Sequence, residues 1–285
     1  MADKEKLQIL EGFYALRMKS DSQKEHDLRL ANKYLSILEE ANSPDGSFGE
    51  KGNYDFLHRG ITMCCANPQN GILITGINPG YNCKFPNGGY YTFEETMLNE
   101  EQHKGSYWRN KKKQIVGDDP FLIKRTAYLD LFPYSESSQK KFRQELEEIG
   151  TSQDSIQVKT LEVTLEEIEE YLRPKLIIAA NKETAYYWGI DKKSTWLGYQ
   201  LEPVASLPPC LEGKDIVLYR ISGTGFQTEK NDRVGQDKYY VKSNILGSYF
   251  ISYALYDDRH VSKYPQKILF PEIVKSLFEW IDRKW

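Results

Sequence analysis

The chain has 285 residues, 40% of them hydrophobic and 28% charged, with a net charge of −3. That is enough apolar material for a packed core, and the slight negative balance excludes a protein that coats nucleic acid non-specifically while leaving room for a local basic patch. No apolar run approaches the roughly 18–20 residues of a membrane span, and the charged opening MADKEKLQIL has no signal-peptide core, so a cytoplasmic protein with no membrane partner is expected.

Residues 5–41 repeat apolar positions at helical spacing, in KLQILEGFYALRM and DLRLANKYLSILEEA, and are expected to form a helical N-terminal extension reaching to about residue 60. NSPDGSFGEKGN breaks that pattern as a loop. Cys64 and Cys65, adjacent before the first strand, would face opposite sides of a strand. With Cys83 and Cys210 they show no C-x-x-C pairing and no interleaved histidine. All four are expected to be reduced, and no metal or cofactor is expected.

Ile72, Leu73 and Ile74 read as a buried strand, and the chain then turns through Gly76, Ile77, Asn78, Pro79 and Gly80. One polar side chain stands at the apex. Asn78 is either a plain turn asparagine or a ligand-facing group at the carboxyl end of a sheet strand, where open α/β sheets place their ligands. After an aromatic and glycine-rich segment comes a helical piece and then the basic run RNKKK. TAYLDLFPYSES reads as a second strand ending in a turn. QKKFRQELEEIG and TLEEIEEYLRPK read as helices, the latter opened by Thr164 and Glu167 at capping-box spacing and stopped by Pro174. LIIAA is a third strand, NKETAYYWGI a helix, DIVLYRISG and YFISYALY two further strands. FPEIVKSLFEWIDRKW closes the chain, its Ile273, Leu277, Phe278 and Ile281 suiting an amphipathic helix.

This alternation predicts an α/β fold: three layers, α/β/α, around a mostly parallel central sheet of about four to five strands. One elaborated domain over 1–285 is expected, and the sequence leaves the oligomeric state open.

Three stretches in order, LITGINPG, AYLDLFPYS and LRPKLIIAANKETAYYW, resemble the uracil-DNA glycosylase superfamily. The first looks most like the mismatch-specific uracil/thymine branch, where Gly-Ile-Asn-Pro-Gly is the first active-site motif. The likeness spans residues 72 to about 190 and leaves 191–250 as a family-specific insertion. It implies a DNA glycosylase that hydrolyses the N-glycosidic bond of a flipped, damaged or modified base, with DNA as partner. The implied alternative is a catalytically inactive nucleic-acid or nucleotide-binding module of the same fold.

The resemblance maps Asn78 to the water-positioning residue, with Gly76, Ile77, Pro79 and Gly80 around the base. An asparagine carbonyl orients water but accepts no proton, so it activates more weakly than aspartate. Gly80 stands where the uracil-specific branch carries a bulky aromatic, which implies a roomier pocket; backbone conformation is the other reason for a glycine there. Phe85 is the first choice of stacking ring, with Tyr90, Tyr91 and Phe93 as rivals, and Phe132 and Tyr134 are expected to border the pocket.

The family's second motif, His-Pro-Ser or Asn-Pro-Ser, is absent. RHVSKYP offers His260, to hydrogen-bond the leaving base, and Ser262, to hold a flanking phosphate; ISGTGFQ, with Ser222, is the rival. Lys263 and Lys267, with Arg109, Lys111, Lys112 and Lys113 of the basic run, are expected to face DNA phosphates.

Overall fold

The computed structural model describes residues 2–17, 20–43, 54–81, 87–99, 106–150, 152, 154–190, 197–224 and 243–285. The chain divides into two compact units, one of 1–66, 77–91 and 130–167, the other of 67–76, 92–129 and 168–285.

The first unit opens with helices α1 (Ala2–Arg17) and α2 (Asp21–Ala41). Ser20 caps α2 by accepting from Gln23 N, and its buried stripe runs through Leu30, Tyr34, Leu38 and Ala41 at helical spacing. A short helix α3 (Asp55–His58) leads into strand β1 (Ile61–Cys65). Cys64 and Cys65 are both buried, as is proper for a strand covered on both sides, and Cys210 is partly buried.

β1 pairs with β3 (Gly88–Thr92) in a two-stranded sheet. Gly88 has φ +81°, and a side chain there would strike the Ile61 carbonyl. Helices α7 (Gln139–Ile149) and α8 (Ile156–Glu166) complete the unit.

Helix α8 corrects the sequence reading. It starts at Ile156, capped by Ser155, so Thr164 lies in its interior. Thr164 Oγ1 donates to the Leu131 carbonyl at 2.9 Å and caps nothing. A π-helical turn, Glu167–Leu172, follows before Pro174.

The second unit is built on a mixed sheet of order β4-β2-β5-β8-β7-β6. Strands β2 (Ile72–Gly76), β5 (Leu176–Ala179) and β8 (Tyr249–Ser252) run parallel, with Ile72 opposite Leu176 and Leu176 opposite Tyr249. Ile72, Leu73, Ile74, Leu176, Ile177 and Ile178 are fully buried. Continuous burial of β-branched and leucine side chains is what a strand covered on both faces requires, and each contributes roughly 1.5–3 kcal/mol.

β4 (Thr126–Asp130) lies beside β2, while β7 (Leu218–Thr224) and β6 (Tyr199–Pro203) extend the other edge in antiparallel fashion. β6 was not foreseen. Its YQLEP sequence ends in proline and is half-exposed, which suits an edge strand and hides it from a search for apolar runs.

In the same unit are α4 (Phe93–Leu98), α5 (Ser106–Lys111) with a π-helical turn over Lys112–Val116, α6 (Pro120–Arg125), α9 (Lys182–Tyr187), α10 (Asp258–Lys263) and α11 (Pro271–Asp282). α11 buries Val274, Leu277, Phe278 and Ile281; Val274, not Ile273, fills the first position of the stripe. No helix among the described residues is long and apolar enough to cross a membrane.

Candidate functional site

Asn78 stands two residues past the end of β2 in the chain. The turn that carries it belongs to the first unit, and the segment after β4 fixes it there. Phe132 N donates to the Ile77 carbonyl at 2.9 Å, and Glu136 N to the Pro79 carbonyl at 3.0 Å. That segment is itself tied to β1, through Thr62 N to the Pro133 carbonyl at 2.8 Å. The segment after β4, itself anchored on β1, therefore locks the turn.

The Asn78 side chain is buried, with 9% of its surface exposed. Its Nδ2 faces three backbone carbonyls: Pro79 at 3.0 Å, Glu136 at 2.9 Å and Tyr134 at 3.4 Å. These acceptors fix the amide's orientation, because a flipped amide would aim oxygen at oxygen. Oδ1 is left buried with no hydrogen-bond partner. A buried acceptor without a donor costs about 1–3 kcal/mol, and a catalytic role is one of the reasons a native structure retains such an atom. The arrangement presents one oriented acceptor, able to receive a hydrogen bond from a water or from a base N–H.

Charged groups that the sequence reading did not single out surround this turn. Glu136 is 5% exposed and takes Arg59 Nη1 at 2.6 Å; its Oε1 also accepts from Ser138 N at 3.1 Å. The Arg59 guanidinium lies 4.1 Å over the Tyr81 ring and reaches Asp55 at 3.2 Å. Lys141 bridges Asp55 at 2.7 Å, which holds the Asp55 carboxyl below its ordinary range. Glu136 follows directly on FPYS and Arg59 on FLH, but a lone charge after an apolar run carries no signal of its own.

The remaining turn residues divide. Gly76 and Ile77 are buried, Pro79 is buried with its carbonyl doubly engaged, and Gly80 is exposed. A methyl group at Gly80 would meet nothing within 4 Å, and Gly80 is not among the positive-φ glycines. Open space, not backbone strain, is what this glycine provides. Phe85 lies outside the described residues. Phe132 is fully buried against Phe142, centroids 5.5 Å apart, so it is core and not a pocket wall. Tyr134 is likewise buried, its hydroxyl 2.6 Å from Thr160 Oγ1. Phe93 stacks on Tyr128, while Tyr90 and Tyr91 are half-buried on β3.

In the second unit the two segments expected to face DNA come together. Asp258 takes Lys113 at 2.5 Å and Arg109 at 3.9 Å, across 145 residues of sequence in the first case. Gln114, buried, binds the Tyr256 carbonyl at 2.5 Å and accepts from the Tyr253 hydroxyl at 2.8 Å, fastening the basic run to the chain that enters α10.

His260 is on the exposed face of α10, its Nδ1 2.8 Å from Asp257 Oδ1 and its ring stacked on Tyr264. Asp257 caps the helix, and the hydrogen bonds from His260 N and its ring hold the Asp257 carboxyl well below the usual range. Ser262 Oγ donates to the Asp258 carbonyl at 3.2 Å, an internal helix bond rather than a free phosphate ligand. Ser222 sits within β7, not beyond its end, and donates to the Gln200 carbonyl at 3.4 Å.

The cations expected at DNA are largely occupied. Lys111 is fully buried, its ammonium 2.7 Å from the centroid of Tyr107 and 4.9 Å from those of Trp108 and Tyr128. It is a core group held by ring faces, which corrects its assignment to a phosphate-facing surface. Lys112 bridges Asp118 at 2.6 Å and Lys267 bridges Asp215 at 3.4 Å. Lys263 lies over the Tyr264 ring at 5.2 Å. Arg109, more than half exposed and only loosely paired, and Lys263, also exposed, are the more available of them.

No family model, curated protein or solved structure matches the chain.

Proposed function

We propose that the protein is a glycosylase-like hydrolase of the N-glycosidic bond, in which the Asn78 amide oxygen orients the attacking water at a base withdrawn from its strand. The observation that carries this is the fixed amide: three carbonyls hold Nδ2 and leave Oδ1 buried and unpartnered. A donor from substrate or water would complete it, and a preoriented dipole of this kind needs no reorganisation during reaction.

A three-layer α/β/α stacking of the sheet with its helices belongs to the same reading, as does DNA as partner. Open space beside Gly80 favours a base bearing a substituent at carbon 5 over plain uracil.

A second reading, a binding module of the same fold without catalysis, is favoured by α10. His260 and Ser262 are both engaged within their own helix and its cap, so no second catalytic group is evident in that segment. One experiment separates the two. Oligonucleotides carrying uracil, thymine mismatches and bulky 5-modified cytosines are incubated with the protein, then cleaved with alkali at abasic sites. Base release that disappears in folded Asn78→Ala supports hydrolysis. Binding without release from any member of the panel establishes the module instead.

A further inference from the structure

The second unit contains a cavity of about 540 Å³ lined by Arg220, Leu246, Gly247, Tyr249, Lys284 and Trp285. Its construction is specific. Arg220 of β7 and Tyr249 of β8 are cross-strand partners, so their side chains leave the sheet on one face. The turn before β8 is pinned by Gly247 N to the Ile221 carbonyl at 2.8 Å and by Ser248 Oγ to the Pro174 carbonyl at 2.7 Å.

Gly247 has φ +90°, and a side chain there would stand 3.4 Å from Arg220 Nη2 and 3.9 Å from Trp285 Cζ2. The missing side chain thus leaves a cleft with a guanidinium on one side and an indole on the other. Lys284 adds a second cation, 3.6 Å from the Trp280 ring centroid. Trp280 in turn packs edge-on against Tyr249 at 5.4 Å.

Two features suit this cleft to a ligand. First, no acidic side chain lines it. Glu202 is opposite Arg220 across β6 and β7, yet the two form no ion pair among the described residues. Second, Trp285 is 57% exposed and Leu246 40% exposed, so the apolar wall is not consumed by packing. Neighbouring Lys175, by contrast, is neutralised by Asp282 at 2.6 Å.

We propose that this cleft binds a nucleotide unit, its phosphate on Arg220 and Lys284 and its base against Trp285. Guanidinium matches phosphate with two parallel donors, and an exposed indole is a platform on which any base stacks. The volume is that of a small-ligand pocket. The unit could arrive as a free nucleotide or within a single strand; the chemistry is shared. This site stands apart from the reading of Asn78, since nothing in it hydrolyses.

Calorimetric titration of the whole chain with AMP and, separately, with a thymidylate octamer tests the assignment. Binding is expected with at least one probe. It should weaken about tenfold or more in Arg220→Gln and in Trp285→Ala, with the octamer's salt slope reduced by about one in Arg220→Gln. Lys284→Gln, at an exposed position, should weaken binding in the same sense. Octamer binding without AMP binding identifies a strand as the ligand, and the reverse identifies a free nucleotide. Failure of both probes at about 1 mM, wild-type affinity in variants whose melting is unchanged, or equal competition by oligoglutamate overturns the proposal.

Discussion

Arg59 Nη1 lies 2.6 Å from Glu136 Oε2, and the backbone of that same glutamate both donates to Pro79 and accepts from Asn78. The ion pair therefore fixes the segment that orients the candidate amide. Glu136 is nearly buried and Arg59 less so. Loss of one partner of a buried pair costs about 3–5 kcal/mol, and partial exposure of Arg59 places Arg59→Ala toward the lower figure. Chemical denaturation should register that loss. A double-mutant cycle with Glu136→Gln should show coupling well above the roughly 0.2–1 kcal/mol of an exposed pair; additive effects would mean the pair is incidental.

Asn78 is more than a weaker aspartate. A carboxylate there would set negative oxygen against the carbonyls of Pro79, Tyr134 and Glu136, where an amide donates. Asn78→Asp is therefore expected to destabilise more than Asn78→Ala, which removes the amide donor from the Tyr134 and Glu136 carbonyls and leaves Pro79 its bond from Glu136 N, at a cost of about 1–3 kcal/mol. It should also give no gain in base release. Melting curves together with the alkaline-cleavage assay check both; a faster, equally stable Asn78→Asp enzyme would contradict the geometry.

Burial pushes the Asp27 carboxyl up to about 8, with the backbone hydrogen bond from Ala66 opposing and Glu167 reinforcing the rise. Tyr14 donates its hydroxyl to the same carboxyl. An unfolded aspartate titrates near about 3.9, so between that pH and about 8 the folded chain holds the extra proton. Stability from this group is then full at acidic pH and falls as pH rises through that window, by up to about 1.4 kcal/mol per pH unit. Asp27→Asn should flatten the decline. Melting temperature followed from about pH 4 to about pH 8, the span between the two values, measures it, and parallel slopes for wild type and variant would refute the assignment.

Lys111 and Arg109 are two residues apart in one basic run but differ in kind. Lys111 is enclosed by rings, whereas Arg109 is exposed. Lys111→Ala leaves a cavity and should cost about 2–5 kcal/mol, while Arg109→Ala should stay within about 0.5 kcal/mol. Thermal unfolding distinguishes them. If nucleic acid binds here, Arg109→Ala should lower its affinity and Lys111→Met should not.

The strand and helix pattern was legible because it is written locally. Ile72–Gly76, Leu176–Ala179 and the closing helix are runs whose period and punctuation declare themselves. The tight turn at Gly76–Gly80, too, follows from the residues in it, and so does the presence of one polar side chain at its apex. What local pattern does not encode is which way that amide points. Three carbonyls contributed by residues 79, 134 and 136 decide it. Likewise, a lysine in a basic run and a threonine at capping-box spacing read as surface and helix start. Ring faces around Lys111 and the Leu131 carbonyl beside Thr164 make them core instead. Hydrogen-bond direction and desolvation depend on partners brought from elsewhere in the chain, so they belong to the folded molecule and not to the order of its residues.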